Sequence, residues 1–316
     1  MRFLAADIGG SRARLLLGEA EAGAWRVLRR EIRNCAGFTG VQALLADFLL
    51  PGDAPRAACL ALAGPVVPGS PVHMTNRPWC VDGVALAQTF QIETVRLIND
   101  FAAQGHGLAE LGPAGLLTLQ GGAPQAGAPR LLIGPGTGLG MALVVGAPEA
   151  AEVLPSEGGH MDFAPGDDEG VALLAALRRQ SGRVSLETVL SGAGLERIYA
   201  FVAGEGPPLR AEEISAAGLA GEPRADRALE LFARELLSAA GNLALATLPQ
   251  GGLFLAGGIA PRLVEILRRP EVLEAFGNKP PMRETLAGFP LHVVLDDLLG
   301  LWGAARIATR MTDGLA

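Results

Sequence analysis

Phe3-Leu4-Ala5-Ala6-Asp7-Ile8-Gly9-Gly10-Ser11 runs straight into Arg12-Ala13-Arg14-Leu15-Leu16-Leu17, a β-rich stretch that ends in a glycine loop and turns into a second one. The same device recurs as Leu131-Leu132-Ile133-Gly134-Pro135-Gly136-Thr137-Gly138-Leu139-Gly140 followed by Met141-Ala142-Leu143-Val144-Val145. Each copy reads as a hairpin with a hydroxyl residue and glycines at its tip. Such a tip turns backbone N–H groups outward with no Cβ in the way, which makes an anion cradle suited to phosphate. One copy alone reads more simply as an ordinary hairpin turn. Repetition, together with Asp7 at the first loop, points instead to one nucleotide held between two domains.

Two better-known phosphate motifs are excluded. A Walker loop needs a lysine inside its glycine run, and the only lysine is Lys279, far from both loops. A dinucleotide fingerprint needs glycine at its first, third and sixth places before a helix. From Gly134 the sixth place is Leu139, from Gly136 it is Met141, and β-branched Val144-Val145 follow.

Bulk properties bound the class. With 316 residues the chain has room for two domains, and 49% hydrophobic against 19% charged residues marks it as globular. A net charge of −7 leaves no basic footprint for nucleic acid, so a polyphosphate partner needs local neutralisation by backbone dipoles and a metal ion. Cys35, Cys59 and Cys80 are an odd set without metal-binding spacing, which fits reduced thiols in the cytoplasm rather than zinc ligation. No hydrophobic stretch of signal-peptide length precedes Asp7. Residues Leu236 to Pro261 carry no charge, but Pro249, Gly251 and Gly252 break the run and read as a buried helix end before a buried strand, with no membrane span.

Strands and helices alternate along the chain, giving an α/β class. Thr39 is placed to cap a helix with apolar Val41, Leu44, Leu45, Phe48 and Leu49. A buried strand covers Ala57 to Ala63, a helix Val84 to Phe90, and a strand Thr94 to Ile98 leads to Asn99-Asp100. Gly- and Pro-rich Leu108 to Ala128 is the candidate crossover between domains. Helices are expected from Glu169 to Gln180 and from Arg224 to Leu248, the second with Leu229, Phe232, Leu236, Ala240 and Leu243 on one stripe. Strand Leu253 to Ala256 then delivers Gly257-Gly258 to a helix start. The duplicated hairpin is the internal repeat.

Asp100 stands where a strand gives way to a helix, the place where open α/β sheets put functional groups. A carboxylate there can take the proton of a hydroxyl attacking a phosphoryl group; it can equally be the N-cap of a helix starting at Phe101. Glu157 and His160 flank Gly158-Gly159, so both can project from one tight turn, and Glu187 lies two residues after Ser185, a plausible cap. Each is open to a bland reading as a solvated charge or a turn histidine. Together they supply the carboxylate, amide and imidazole groups that a sugar's hydroxyls need.

The blocks Asp7-Ile8-Gly9-Gly10, Met74-Thr75-Asn76, Ile98-Asn99-Asp100-Phe101, Gly136-Thr137-Gly138-Leu139-Gly140, Glu157-Gly158-Gly159-His160-Met161-Asp162-Phe163, Leu190-Ser191-Gly192, Gly241-Asn242-Leu243-Ala244 and Ala256-Gly257-Gly258-Ile259 resemble, in order and close to spacing, the bacterial glucokinase family. The resemblance runs from residue 3 to about 305. It implies a two-domain actin-like ATPase (ribonuclease H-like) fold, with a small domain over 1–108 completed by a helix at 301–316 and a large domain over 109–300. It implies ATP-dependent phosphorylation of D-glucose at the 6-hydroxyl, the first step of glycolysis, in a cytoplasmic homodimer, with Asp100 as general base. Asn99, Asp100, Glu157, His160 and Glu187 would hold the sugar. Ala6, Asp7, Ile8, Gly9, Gly10 and Ser11 would form the first phosphate loop and Gly136, Thr137 and Gly138 the second, with Gly257 and Gly258 at the adenosine. Mg²⁺ would arrive with ATP and meet Asp7 through water, with no direct protein ligand.

This sequence departs from the family in two places. Ser11-Arg12 replaces the usual Thr-Asn, and Leu298-Leu299 stands where a Pro-Gly pair is common. The cysteine run of the related repressor and open-reading-frame kinases is absent, so no zinc is expected. Rival readings are a kinase for another hexose or an N-acetylated one, and a sugar-sensing regulator on the same scaffold. Against the regulator stand Asp100 and the position of Asp7, from which no upstream DNA-binding domain is expected. Because the crossover separates Asn99 and Asp100 from Glu157, His160 and Glu187, one glucose is expected to touch both domains and draw them closed.

Overall fold

Apolar alternation builds the first sheet. In β1 (Arg2–Ile8) the side chains of Leu4, Ala6 and Ile8 enter one core and those of Phe3 and Ala5 another, all five buried. Successive residues of a strand point to opposite faces, so β1 is covered on both. It turns at Gly9-Gly10-Ser11 into antiparallel β2 (Arg12–Glu21), and β3 (Ala24–Asn34) continues the meander. On its other edge β1 pairs in parallel with β4 (Ala57–Leu62), every residue of which is buried. A separate ribbon of β5 (Val72–His73) and β6 (Cys80–Val81) follows, and then β7 (Thr94–Asn99) lies parallel to β4, completing the order β3-β2-β1-β4-β7.

Helix α1 (Val41–Phe48) buries Val41, Leu44, Leu45 and Phe48, but Thr39 does not cap it; the N-cap is Gly40, in extended backbone and without a side-chain bond. The Thr39 reading stops the chain one residue short of the helix. In α2 (Gly83–Phe90) Asp82 is the cap and accepts from Val84 N at 2.8 Å. Helix α3 (Asp100–Gly107) follows β7 directly.

The structure, a computed structural model, describes residues 1–21, 24–75, 77–204 and 206–312. Asn76, quoted in one family block, and residues 313–316 of the expected terminal helix lie outside the described residues. The chain divides into two units, Met1–Leu111 with Leu298–Ala316, and Gly112–Asp297.

The second unit repeats the first sheet's plan. Its edge strand β8 (Leu116–Gln120) lies inside the segment read as a crossover, so that segment is in part sheet: Leu117 and Leu119 are half-buried against the unit's core. Strands β9 (Arg130–Pro135), β10 (Leu139–Val145) and β11 (Glu152–Ser156) form an antiparallel meander. Helices α4 (Asp168–Ser181), α5 (Leu186–Val189), α6 (Gly192–Ala203), α7 (Ala211–Leu219) and α8 (Pro223–Thr247) come next. Leu229, Phe232, Leu236, Ala240 and Leu243 of α8 are all buried, as their spacing predicts. β12 (Leu253–Leu255), α9 (Val264–Leu267), α10 (Pro270–Gly277), α11 (Arg283–Ala287) and β13 (Leu291–Val294) complete it, in the order β11-β10-β9-β12-β13-β8. In both units a three-strand meander is followed by two strands parallel to its first member. The duplication therefore extends from the hairpin to five strands.

The chain returns to the first unit with α12 (Leu299–Thr312), which starts regularly in spite of Leu298-Leu299 and shares a core with Phe3, Ala5, Cys59, Ala61 and Ala103. It crosses α3 at backbone contact distance: a Cβ on Gly303 would lie 1.7 Å from Ala103 O, and one on Gly107 2.1 Å from Leu299 O. Cys35, Cys59 and Cys80 are free, the first two buried. Among the described residues no helix is long and apolar enough to cross a membrane.

Candidate active site

Parallel strands carry functional groups past their carboxyl ends, and in the first unit that edge holds two carboxylates. Asp7 pairs with Ala61 and Ala61 with Ile98, so Asp7 and Asn99-Asp100 emerge on the same side of the sheet. Asn99 is the cap of α3: its Oδ1 accepts from Phe101 N at 2.9 Å and Ala102 N at 3.1 Å, while Nδ2 donates to Gly64 O at 3.2 Å. The cap reading thus moves one residue upstream, and Asp100 is the first residue of the helix, its Oδ1 accepting from Phe101 N at 2.9 Å. Burial, and then the charge of Asp7, push the Asp100 carboxyl up to about 6. Asp7 is itself paired with Arg14 at 3.3 Å, and α12 comes so close that a Cβ on Gly300 would be 3.0 Å from the Asp7 carboxylate.

In the second unit the hairpin tip is tied down by its neighbours. Gly136 N donates to Gly138 O at 2.8 Å, and Gly192 N, in the first turn of α6, donates to Gly136 O at 2.8 Å. Ser191 caps α6 by accepting from Gly194 N. Ser185 caps α5 in a capping box with Thr188, placing Glu187 in the first turn as its spacing predicts. From there Glu187 Oε2 accepts from Leu139 N at 2.8 Å, so close that a Cβ on Gly138 would lie 2.4 Å from the same oxygen. Gly257 has φ +77° and approaches until a Cβ would be 2.6 Å from Pro135 O, a place only glycine fills.

The Glu157–His160 turn sits on the other side of Leu139. A Cβ on Gly159 would meet Leu139 O at 2.2 Å, and Arg183 secures the turn by donating to His160 O at 2.8 Å and Asp162 Oδ1 at 2.6 Å. Glu157 and His160 are exposed, with Oε2 and Nε2 3.9 Å apart. Glu157, His160 and Glu187 are therefore gathered around the start of β10.

A cleft of about 410 Å³ opens beside the second tip, lined by Gly136, Thr137, Gly192 and Gly258 together with Arg210 and Arg262. In the sequence Ser191-Gly192 is read only as part of a family block, without a place in the site, and both arginines escape that reading. Ser191-Gly192 carries a cap signal that marks a helix N-terminus, a natural phosphate neighbour, but nothing local connects Arg210 or Arg262 to it. Among the described residues no three His, Cys, Asp or Glu side chains are grouped to hold a metal ion.

A family model described as Glucokinase matches residues 4–311. The chain belongs to the glucokinase family. A glucokinase of Nostoc sp. is 38% identical over 340 residues, covering 98% of this chain and 99% of that one. Among solved structures, a glucokinase from an Antarctic psychrotroph is 36% identical with a TM-score of 0.86, covering 97% of this chain and 98% of that one. At 23% identity the glucokinase of Balamuthia mandrillaris, solved with glucose, has a TM-score of 0.79 over 97% of this chain and 93% of its own, a likeness of fold. The fold of this glucokinase family member is the α/β architecture of the actin-like ATPases, with the duplicated five-strand plan described above.

Proposed function

We propose that this glucokinase family member transfers the γ-phosphoryl group of ATP to the 6-hydroxyl of D-glucose, with Asp100 as the general base. The observation that carries the reading is the half-buried Asp100, held at the carboxyl end of a parallel strand with its pKa raised to about 6. Such a carboxylate is a stronger base than an ordinary aspartate and is still ionised at neutral pH. It accepts the hydroxyl proton as O6 bonds to the γ-phosphorus and the bond to the bridging oxygen of ADP breaks. Asn99, Glu157, His160 and Glu187 hold the remaining hydroxyls. The N–H groups of Gly10, Ser11, Thr137 and Gly138 hold phosphates, while Gly9 and Gly136 shape the two tips with their own N–H groups turned inward to Arg12 O and Gly138 O. Ala6 and Ile8 support the first of these loops from β1, and the cleft beside Gly257-Gly258 takes the adenosine.

Asp7, a half-buried carboxylate, fits a metal ion that comes with the phosphates and is met through water. Mg²⁺ bound to ATP supplies charge neutralisation on the transferring group. Activity lost to EDTA should return with Mg²⁺ alone; a requirement for added zinc would contradict this. We further place the protein in the cytoplasm, as a homodimer, at the first step of glycolysis.

A coupled assay with ATP and Mg²⁺ across a panel of sugars tests the substrate. D-glucose should give the highest kcat/KM. A clear preference for fructose, mannose or N-acetylglucosamine would make the protein a kinase for that sugar instead, since a single hydroxyl contact can decide such choices.

A further inference from the structure

The tip of the first hairpin is held from behind by two side chains that no part of the proposed mechanism uses. Cys35 opens the short 3-10 turn Cys35–Gly37 after β3. Its backbone N donates to Ser11 O at 2.9 Å, and its Sγ lies 3.6 Å from Gly9 O. Arg77 donates through Nε to the carbonyl between them, Gly10 O, while its guanidinium lies 5.0 Å over the ring of buried Trp79. Three consecutive carbonyls are thus engaged. Burial raises the Cys35 pKa, which keeps the sulfur a protonated S–H donor at neutral pH.

Across a planar trans peptide the C=O of one residue and the N–H of the next point in opposite directions. Engaging Gly9 O and Gly10 O on the side of Cys35 and Arg77 therefore turns the N–H groups of Gly10 and Ser11 to the other side. Among the described residues neither N–H has an acceptor. Gly9 and Gly10 are the residues whose peptide planes flip most easily, because no Cβ restricts them. Left alone, such a loop spreads over several orientations and must be ordered each time an anion binds.

We propose that Arg77 and Cys35 are positioning residues that hold the peptide planes of Gly9 and Gly10 so that the N–H groups of Gly10 and Ser11 are aimed in advance at a nucleotide phosphate. The proposal rests on the reading of this loop as a phosphate site. Neither side chain touches the reacting atoms. Arg77 also places a fixed cation behind a loop whose chain has one lysine in all, and the two effects separate by salt, because a long-range charge effect is screened whereas a peptide plane held by a hydrogen bond is not.

The test uses the full chain with Arg77→Met, which keeps the apolar stem over Trp79 and removes the donor and charge; Arg77→Lys, which keeps the charge; and Cys35→Ala, which removes only the S–H. KM for ATP should rise about tenfold in Arg77→Met and about threefold in Cys35→Ala, the scale of one lost hydrogen bond. KM for glucose should stay within about twofold, and kcat at saturating ATP should fall by less than about threefold, because the loss lies in binding. Arg77→Lys, with a donor in reach of Gly10 O, should recover part of the affinity. ADP binding by calorimetry should weaken in parallel at both low and high salt. Unchanged ADP affinity and KM for ATP in both Arg77→Met and Cys35→Ala would overturn the proposal, as would a loss that disappears at high salt. A wild-type chain that binds no ADP would overturn the nucleotide reading itself. Should Arg77→Met fail to fold, Cys35→Ala decides the matter alone.

Discussion

Asp100→Asn is expected to lose about 10² to 10⁴ in kcat and, at pH 8, to be more stable than the wild type. The two halves have one cause. The raised pKa says that the folded protein binds the Asp100 proton more tightly than the unfolded chain does, first because the carboxyl is buried and second because Asp7 repels its charge. A group whose pKa rises on folding contributes its stability fully below the unfolded value, 3.8, and loses it as the pH climbs through the folded value of about 6. Above that the wild type keeps a desolvated, repelled anion. The cost is about 3 kcal/mol, because each tenfold change in proton affinity is worth about 1.4 kcal/mol. Asparagine has the same shape, still accepts from Phe101 N, and carries no charge. Its melting temperature should therefore exceed the wild type's above pH 6, with the excess fading below pH 4. A residue kept only as a helix-terminal hydrogen-bond partner predicts near-normal kcat whatever the change in stability, so kcat decides the role and the pH dependence of Tm tests the raised pKa. Turnover of the wild type should also fall about tenfold for each pH unit below 6, as the base becomes protonated. A flat acid limb would remove Asp100 from the base role.

What the sequence shows of this fold follows from how local each signal is. The Gly9-Gly10-Ser11 and Gly136-Thr137-Gly138 hairpins are legible because the loop and both strands are contiguous, and the α8 stripe because helical spacing repeats over twenty-five residues. Ser185 before Glu187 is a cap signal within four residues. Thr39 fails for the same reason that Ser185 succeeds: a hydroxyl near a helix start is a cap only if it stands at the right residue, and Gly40 occupies that place. β8 is missed because Leu116–Gln120 sits between Gly- and Pro-rich stretches, and only its pairing with β13, far along the chain, makes it a strand. The same distance hides Arg210 and Arg262 from the cleft, and Arg77 and Cys35 from the loop they hold. Asn99 and Asp100 fall in between. Their place at a strand end is local, but which of them caps the helix depends on where Gly64 O lies.

Gly303→Ala is the second large effect, and it reaches the carboxylates through the backbone. A methyl at this position would lie 1.7 Å from Ala103 O and 2.8 Å from Gly107 N. Both are backbone atoms, with no rotamer to move aside. Real Cβ contacts stay beyond about 3.0 Å, so α3 and α12 must part by more than an ångström. Intrinsic propensity favours alanine over glycine inside a helix by about 1 kcal/mol, so the sign is a contest between propensity and overlap. Forced separation of well-packed elements costs about 1–3 kcal/mol and can exceed it, and the packing lost between Ala103, Ala304 and Ala308 adds to it. We expect a net destabilisation of about 2 kcal/mol, a fall in Tm of about 4–8 °C for a chain of this size. The start of α3 carries Asp100 and the start of α12 brings Gly300 against Asp7, so parting these helices displaces both carboxylates. kcat should therefore fall by more than the loss of folded protein explains, since misplacing a reacting group by an ångström can cost about 10². Gly277→Ala is the control: it ends α10, meets no atom within 4 Å, and should leave both Tm and kcat at wild-type levels. If Gly303→Ala melted within a degree of the wild type and turned over normally, the α3–α12 crossing would be more compliant than its geometry allows, and its part in holding the two carboxylates would fall.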